Sequence, residues 1–180
     1  MIFIGSKSNK IGSRAIRWGR GDDLSHFSVM FFDHLMIESR GKSGVHPTWL
    51  KRFISDGNEI VTAVKFDVSR ELELVLYKKM HSQLATSEYD YNGIFWLAGW
   101  GLLRKAGLIK KAPKDNQWGD GQKQFCVEVI KPILPKLFQQ TGFKIKKELE
   151  AYWPQELLNE LQENSKLIKI SPTEIMSWVK

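Results

Sequence analysis

The stretch that most constrains this chain is "HFSVMFFDHLMIESR", residues 26–40. Side chains of an extended strand point alternately to opposite faces. The odd positions Phe27, Val29, Phe31, Leu35 and Ile37 are all apolar, whereas the even positions His26, Ser28, Met30, Met36, Glu38 and Arg40 are mixed. That pattern predicts an antiparallel hairpin with the odd face on the core and the even face carrying the polar groups. The turn decides what meets on the even face. A two-residue turn at Asp33-His34 would pair even with odd positions and put Glu38 opposite Val29. A three-residue loop, Phe32-Asp33-His34, keeps even with even, so that Glu38 stands opposite Ser28 and diagonal to His26. A one-residue slip exchanges the two faces, so the unbroken apolar set on the odd positions favours the second register. An imidazole and a carboxylate then share a face.

Around this hairpin the first third of the chain reads as strand-rich and the remainder as helix-rich, an α+β pattern. "MIFIGSKSNK" is expected to be a first strand, "SRAIRWGRG" a short helix or loop, and "NEIVTAVKFDV" a further strand. Between the hairpin and that strand, "SGVHPTWLKRFI" reads as a Gly/Pro-punctuated connection with room for a short helix. Ser69 is placed to cap a helix with Leu72, Val75, Leu76, Met80 and Leu84 at helical spacing and Glu71 and Glu73 in its first turn. "YDYNGIFWLAGWGLLRKAGL" is a strongly apolar helix whose uninterrupted apolar core is about half the 20 residues of a membrane span, so it reads as buried. A polar loop, "IKKAPKDNQWGDGQKQ", then leads into "FCVEVIKPILPKLF", expected to be a helix starting at Cys126 and kinked near Pro132 and Pro135. "WPQELLNELQEN" begins a helix with proline at its first position, and in "SPTEIMSW" Ser171 and Glu174 form a capping box.

Composition narrows the class of partner. With 42% hydrophobic and 12% aromatic residues over 180 positions, the chain suits one packed domain, residues 1–180. One cysteine allows no internal disulfide, and the N-terminal stretch lacks a basic segment ahead of an apolar core of about 7–15 residues, so a cytoplasmic location is expected. The net charge of +7 favours an anionic surface, cell wall or lipid. Its basic residues are spread through "SRAIRWGR", "RKAGLIKK" and "KIKKELE" without interleaved stacking aromatics, so specific nucleic-acid binding is not expected. His34, His46 and His81 form no metal-ligand spacing, and no cofactor is implied.

The chemistry centres on the single thiol. A cysteine at the start of a helix faces the positive end of the helix dipole, which favours thiolate. A cysteine hydrolase needs that thiolate, a histidine to relay its proton, and a polar group to fix the histidine tautomer. Cys126, His26 and Glu38 are the residues available for these roles. Each also has a plainer reading, as a core thiol, a strand-end residue and a solvated face charge.

The run "IGSKSNKIGSRAIRWGRGDDLSHFSVMFFDHLMIESRGKSGV", followed by "YDYNGIFW", "FCVEVI" and the closing "SPTEI", resembles the permuted NlpC/P60, papain-like hydrolases of the YiiX/YaeF type, relatives of the lecithin:retinol acyltransferase group. The family carries a Ser-His strand, a polar residue twelve positions later, a Tyr-Asp-Tyr-like element and a cysteine in a Cys-Ser-Glu context. The resemblance implies a circularly permuted papain-like fold, with His26 as base, Glu38 as orienting residue and Cys126 as nucleophile. It also implies that Tyr89 or Tyr91 contacts the oxyanion or the substrate. Val127 departs from the family's serine, whereas Glu128 is retained. Three functions stay open: an amidase or peptidase on a cell-wall peptide or related amide, a lipid-directed thioesterase or acyltransferase, and a catalytically silent binding module.

Overall fold

The structure, a computed structural model, describes residues 1–84, 99–109, 126–142, 144–163 and 167–179. Its centre is a six-stranded antiparallel sheet in the order β4-β3-β2-β1-β5-β6. The strands are β1 (Ile2–Ser8), β2 (His26–Phe31), β3 (Leu35–Arg40), β4 (Gly44–Trp49), β5 (Asn58–Phe66) and β6 (Leu167–Ile170). The helices are α1 (Ile11–Arg20), α2 (Leu50–Ser55), α3 (Arg70–His81), α4 (Leu134–Thr141), α5 (Pro154–Gln162) and α6 (Pro172–Ser177), and residues 99–105 are also helical. The architecture is α+β, an antiparallel sheet packed against helices.

The hairpin takes the register that its apolar pattern requires. Ser28 pairs with Glu38, Val29 with Ile37 and Phe31 with Leu35, leaving Phe32–His34 as a three-residue loop. Phe32 and Asp33 both lie in the left-handed region, at φ 57° and 65°. Aspartate tolerates that conformation far better than phenylalanine does. Phe32 is held there from outside the hairpin: its N–H donates to Glu73 Oε1 of α3 at 2.7 Å, and the Arg70 guanidinium lies 4.2 Å from its ring centre. The turn that sets the register is therefore braced by a helix more than forty residues away.

Both faces of the sheet are covered, which corrects the expectation of one core face and one polar face. Phe3, Phe27, Val29, Phe31, Ile37 and Val64 face the larger core, together with Leu76 and Met80 of α3 and Leu157, Leu158 and Leu161 of α5. On the other face Ile2, Ile4, Met30 and Met36 meet Leu50 and Phe53 of α2, and Ile170 and Ile175. Met30 and Met36 are thus core residues, and the even face is polar only towards its His26 end. A central sheet needs covering on both sides, and short elements outside the hairpin supply the second layer. Gly5 makes room for the first: a Cβ there would stand 2.5 Å from Leu158 Cδ1 and 2.6 Å from Leu24 Cδ1.

Three local expectations change. The stretch "GVHPTW" is not a connection but the edge strand β4, paired along its length with β3. Proline has no N–H to donate, and an edge strand is where a sheet tolerates one, so Pro47 hides the strand without preventing it. The opposite edge, β6, also went unread, being only four residues long. The segment after Cys126 is not a kinked α-helix. Residues 126–127 form a turn, Glu128–Ile130 a single 3₁₀ turn, and α4 begins only at Leu134, with proline in its first turn. Pro132 and Pro135 remove two donors from the helix that the apolar pattern suggested, and the chain breaks where a kink was expected.

The capping serines act as expected, though of the capping box expected at Ser171 and Glu174 the structure gives the serine half. Ser69 Oγ accepts from Leu72 N–H at 3.3 Å, Ser171 Oγ from Glu174 N–H at 3.1 Å, and Pro154 opens α5. Within α3, Leu76 and Met80 are buried while Val75 faces solvent.

Candidate active site

The site begins at the first residue of β2. Because β2 and β3 pair even with even, Glu38 projects to the same face as His26 from the neighbouring strand, and His26 Nε2 lies 2.6 Å from Glu38 Oε2. Glu38 is fully buried, and the His26 side chain is 15% exposed. The ring of His26 stacks on Phe53 of α2 at 6.4 Å between centroids. Packing and register together hold the imidazole from the side and from the end.

Cys126 stands close enough to the same imidazole to raise its pKa. With Nε2 committed to Glu38, Nδ1 is the nitrogen left for the thiol. Cys126 is buried, and so are Val127, Glu128, Val129 and Ile130 after it, with the 3₁₀ turn packed against β3. A three-residue 3₁₀ turn has little of the aligned peptide dipole of an α-helix, so the expected helix-start field at Cys126 is largely absent. The imidazole is the polar partner that the structure gives the thiol. Thus His26 and Glu38 meet as the register requires, and Cys126 lies near the imidazole on a turn instead of at a helix start. Tyr89 and Tyr91 lie outside the described residues.

Two further side chains join the carboxylate. Arg40 Nε lies 2.9 Å from Glu38 Oε2, and His46 Nε2 is 3.4 Å from Glu38 Oε1, ion-pair range without the alignment of a full hydrogen bond. Arg40 also lies over the Phe53 ring and 3.7 Å from Asp56. Sequence reading missed both as site residues. Arg40 was legible, being two positions beyond Glu38 on the same strand face. His46 was not, because its place directly across from Glu38 exists only once β4 is a strand.

These contacts set the charges. For His26, burial disfavours the imidazolium, but the nearby Cys126, the hydrogen bond with Glu38 and the charge of Glu38 outweigh it, and its pKa rises from 6.5 to about 9. For Glu38, burial favours the neutral acid, yet His26, His46 and Arg40 reverse this and hold the pKa down at about 2. His46 is raised by its contact with Glu38, against a smaller opposing effect of burial. At neutral pH the site holds a carboxylate beside an imidazolium, next to Cys126. Among the described residues, no group of three or more His, Cys, Asp or Glu side chains is arranged to hold a metal ion.

No family model matches the sequence, and no curated protein matches it. A solved structure does match. The metalloprotein yiiX from Escherichia coli O157:H7 is similar over 94% of this chain and 94% of its own, at 19% identity and a TM-score of 0.50. The two chains share a fold.

Proposed function

We propose that the protein is a cysteine-dependent hydrolase, an amidase or peptidase built on one permuted papain-like (NlpC/P60-type) domain spanning residues 1–180. One observation carries this reading: a single imidazole hydrogen-bonded to a buried carboxylate and close enough to the only thiol in the chain to have its pKa raised by it. Glu38 selects the tautomer and stabilises the imidazolium, which is the role of the third member in such triads. The thiol proton is carried by His26, as the imidazolium that Glu38 stabilises. Cys126 Sγ then attacks the substrate carbonyl carbon, forming a C–S bond, and the oxyanion is stabilised by the Cys126 backbone N–H and a second donor, for which Tyr91 and Tyr89 are the candidates. His26 returns its proton to the leaving amine as the C–N bond breaks. Water, deprotonated by His26, releases the acyl group and restores the thiol.

The second reading is a lipid-directed thioesterase or acyltransferase, favoured by the exposed apolar side chains Trp18, Leu102 and Leu103. Turnover of a panel of peptide amides beside lipid esters and thioesters, by wild type and Cys126→Ala, tests both. Cys126-dependent cleavage of amides supports the first reading, and Cys126-dependent cleavage confined to lipid esters supports the second. Equal turnover by wild type and Cys126→Ala removes Cys126 as the nucleophile, and none by either leaves a catalytically silent module.

A further inference from the structure

Helix α1 is built the wrong way round for a surface helix in water. At about 100° per residue, Ile11, Arg14 and Trp18 line one face, and Ile16 lies roughly 140° away from Ile11. Ile16 is the residue that packs against the larger core, while Ile11 and Trp18 are 87% and 65% exposed. Beside α1 runs the helical stretch 99–105. Lys105 Nζ donates to the Trp18 backbone carbonyl at 3.1 Å and lies 4.3 Å from the Trp18 ring centre, so the two segments form one surface. The second segment repeats the arrangement: Trp100 turns towards the core, and Leu102, Leu103 and Leu108 face outward.

The charge on this surface has one sign. Lys10, Arg14, Arg104 and Lys105 are exposed around the apolar side chains, and neither segment, 10–20 nor 99–109, contains an acidic residue. Scattered apolar side chains on a surface need no explanation, but a contiguous group ringed by cations of one sign marks an interaction site. Tryptophan and leucine seated among lysine and arginine is the composition of helices that lie in a bilayer interface, with the apolar side chains in the acyl boundary and the cations at the headgroups.

We infer that α1 and the 99–108 segment form a docking surface for anionic phospholipid bilayers. The inference does not depend on acyl transfer at Cys126. Ser13 of α1 is hydrogen-bonded to Ser25, the residue before His26, which ties the helix carrying this surface to the start of β2.

Co-sedimentation of the full chain with vesicles of phosphatidylcholine alone, or of phosphatidylcholine with phosphatidylglycerol, tests the surface. Binding is expected only with the anionic vesicles. A basic residue near such a membrane contributes roughly a fivefold factor in affinity, so Arg14→Glu with Arg104→Glu should lower it by about 25-fold or more. Ile11→Ser with Trp18→Ser should lower it by about tenfold at unchanged net charge. Lys51→Glu with Lys79→Glu, a charge-matched reversal at exposed lysines elsewhere, should leave most of the binding in place. Cys126→Ala should bind like wild type, which separates a failure of the surface from a failure of the catalytic reading. Equal affinity for neutral vesicles, equal loss in the Lys51/Lys79 control, or binding that survives both patch variants overturns the proposal. So does absence of vesicle binding with retention of a short RNA or DNA duplex that the same patch variants abolish.

Discussion

The two halves of the candidate site are held in different ways. His26 and Glu38 sit on adjacent hydrogen-bonded strands, so their 2.6 Å contact follows from backbone register and is reinforced by Arg40 and by stacking on Phe53. Cys126 sits on a turn before a broken helix, and what fixes it is the burial of its neighbours Val127, Val129 and Ile130. A pair set by register is coupled to fold stability, because nothing in it can move without breaking the ladder. A thiol set by packing is coupled chiefly to the chemistry. The same carboxylate thus serves as structural anchor and as catalytic support, whereas the thiol can be removed at little structural cost.

The largest expected effects follow from that contrast. Cys126→Ala should eliminate turnover with a change in melting temperature of only a few degrees, because Ala removes one small buried group. His26→Ala should also eliminate measurable turnover, and it should destabilise as well, by leaving Glu38 buried beside Arg40 without its closest partner. Activity and thermal melts on the two variants sharpen the comparison. If Cys126→Ala proves the less stable of the two, the contrast between the halves is broken.

Glu38→Gln comes next. The variant keeps the shape and loses the charge, so kcat/KM should fall by roughly ten- to a thousandfold. Read from the sequence alone this substitution looks nearly neutral for folding. The half-buried Arg40 changes that: it loses its closest carboxylate and keeps only Asp56 at 3.7 Å, so a loss of about 1–2 kcal/mol is expected in denaturant titrations. A folded variant of wild-type stability and activity would remove Glu38 from the site.

The raised His26 pKa sets a pH window. Its interactions stabilise the fold fully below about pH 6.5, and that contribution is lost as pH rises through about 9. Glu38 acts in the opposite sense: its contribution is present above about pH 4.5 and is lost as pH falls through about 2. In the acyl-transfer reading the leaving group takes its proton from the His26 imidazolium, so kcat/KM should decline above about pH 9. A basic limb that stays at the same pH in Glu38→Gln would assign it to another group.

Smaller effects test the supports of the register. Glu73→Ala takes the acceptor from Phe32 N–H and should cost about 1–3 kcal/mol, with a fall in activity, since the loop it braces aligns Glu38 with His26. His46→Gln, at a partly exposed contact of 3.4 Å, should cost less than about 1 kcal/mol in stability and in activation free energy.

What was legible in the sequence follows the same division. The hairpin, its register and the meeting of His26 with Glu38 could be read because Phe27, Val29, Phe31, Leu35 and Ile37 keep one face apolar across both strands. The two edge strands could not. Pro47 mimics a loop in β4, and β6 is too short to show a period, so His46 stayed hidden with β4. At Cys126 the apolar spacing suggested a helix, and the prolines at 132 and 135 were read as bending it when they divide it into a 3₁₀ turn and α4. Periodicity reports which residues are buried. It does not report whether the backbone hydrogen bonds between them survive.

The central claim is that Cys126 is a nucleophile served by His26. Incubation with a small p-nitrophenyl acyl ester, followed by quenching in acid and peptide mass spectrometry, tests it most directly. The account predicts a burst of nitrophenolate matching the enzyme concentration and an acyl group on the peptide containing Cys126. The adduct should be absent from Cys126→Ala and strongly reduced in a folded His26→Ala protein. Wild type without an adduct on Cys126, or a His26→Ala protein that acylates at the wild-type rate, would contradict it.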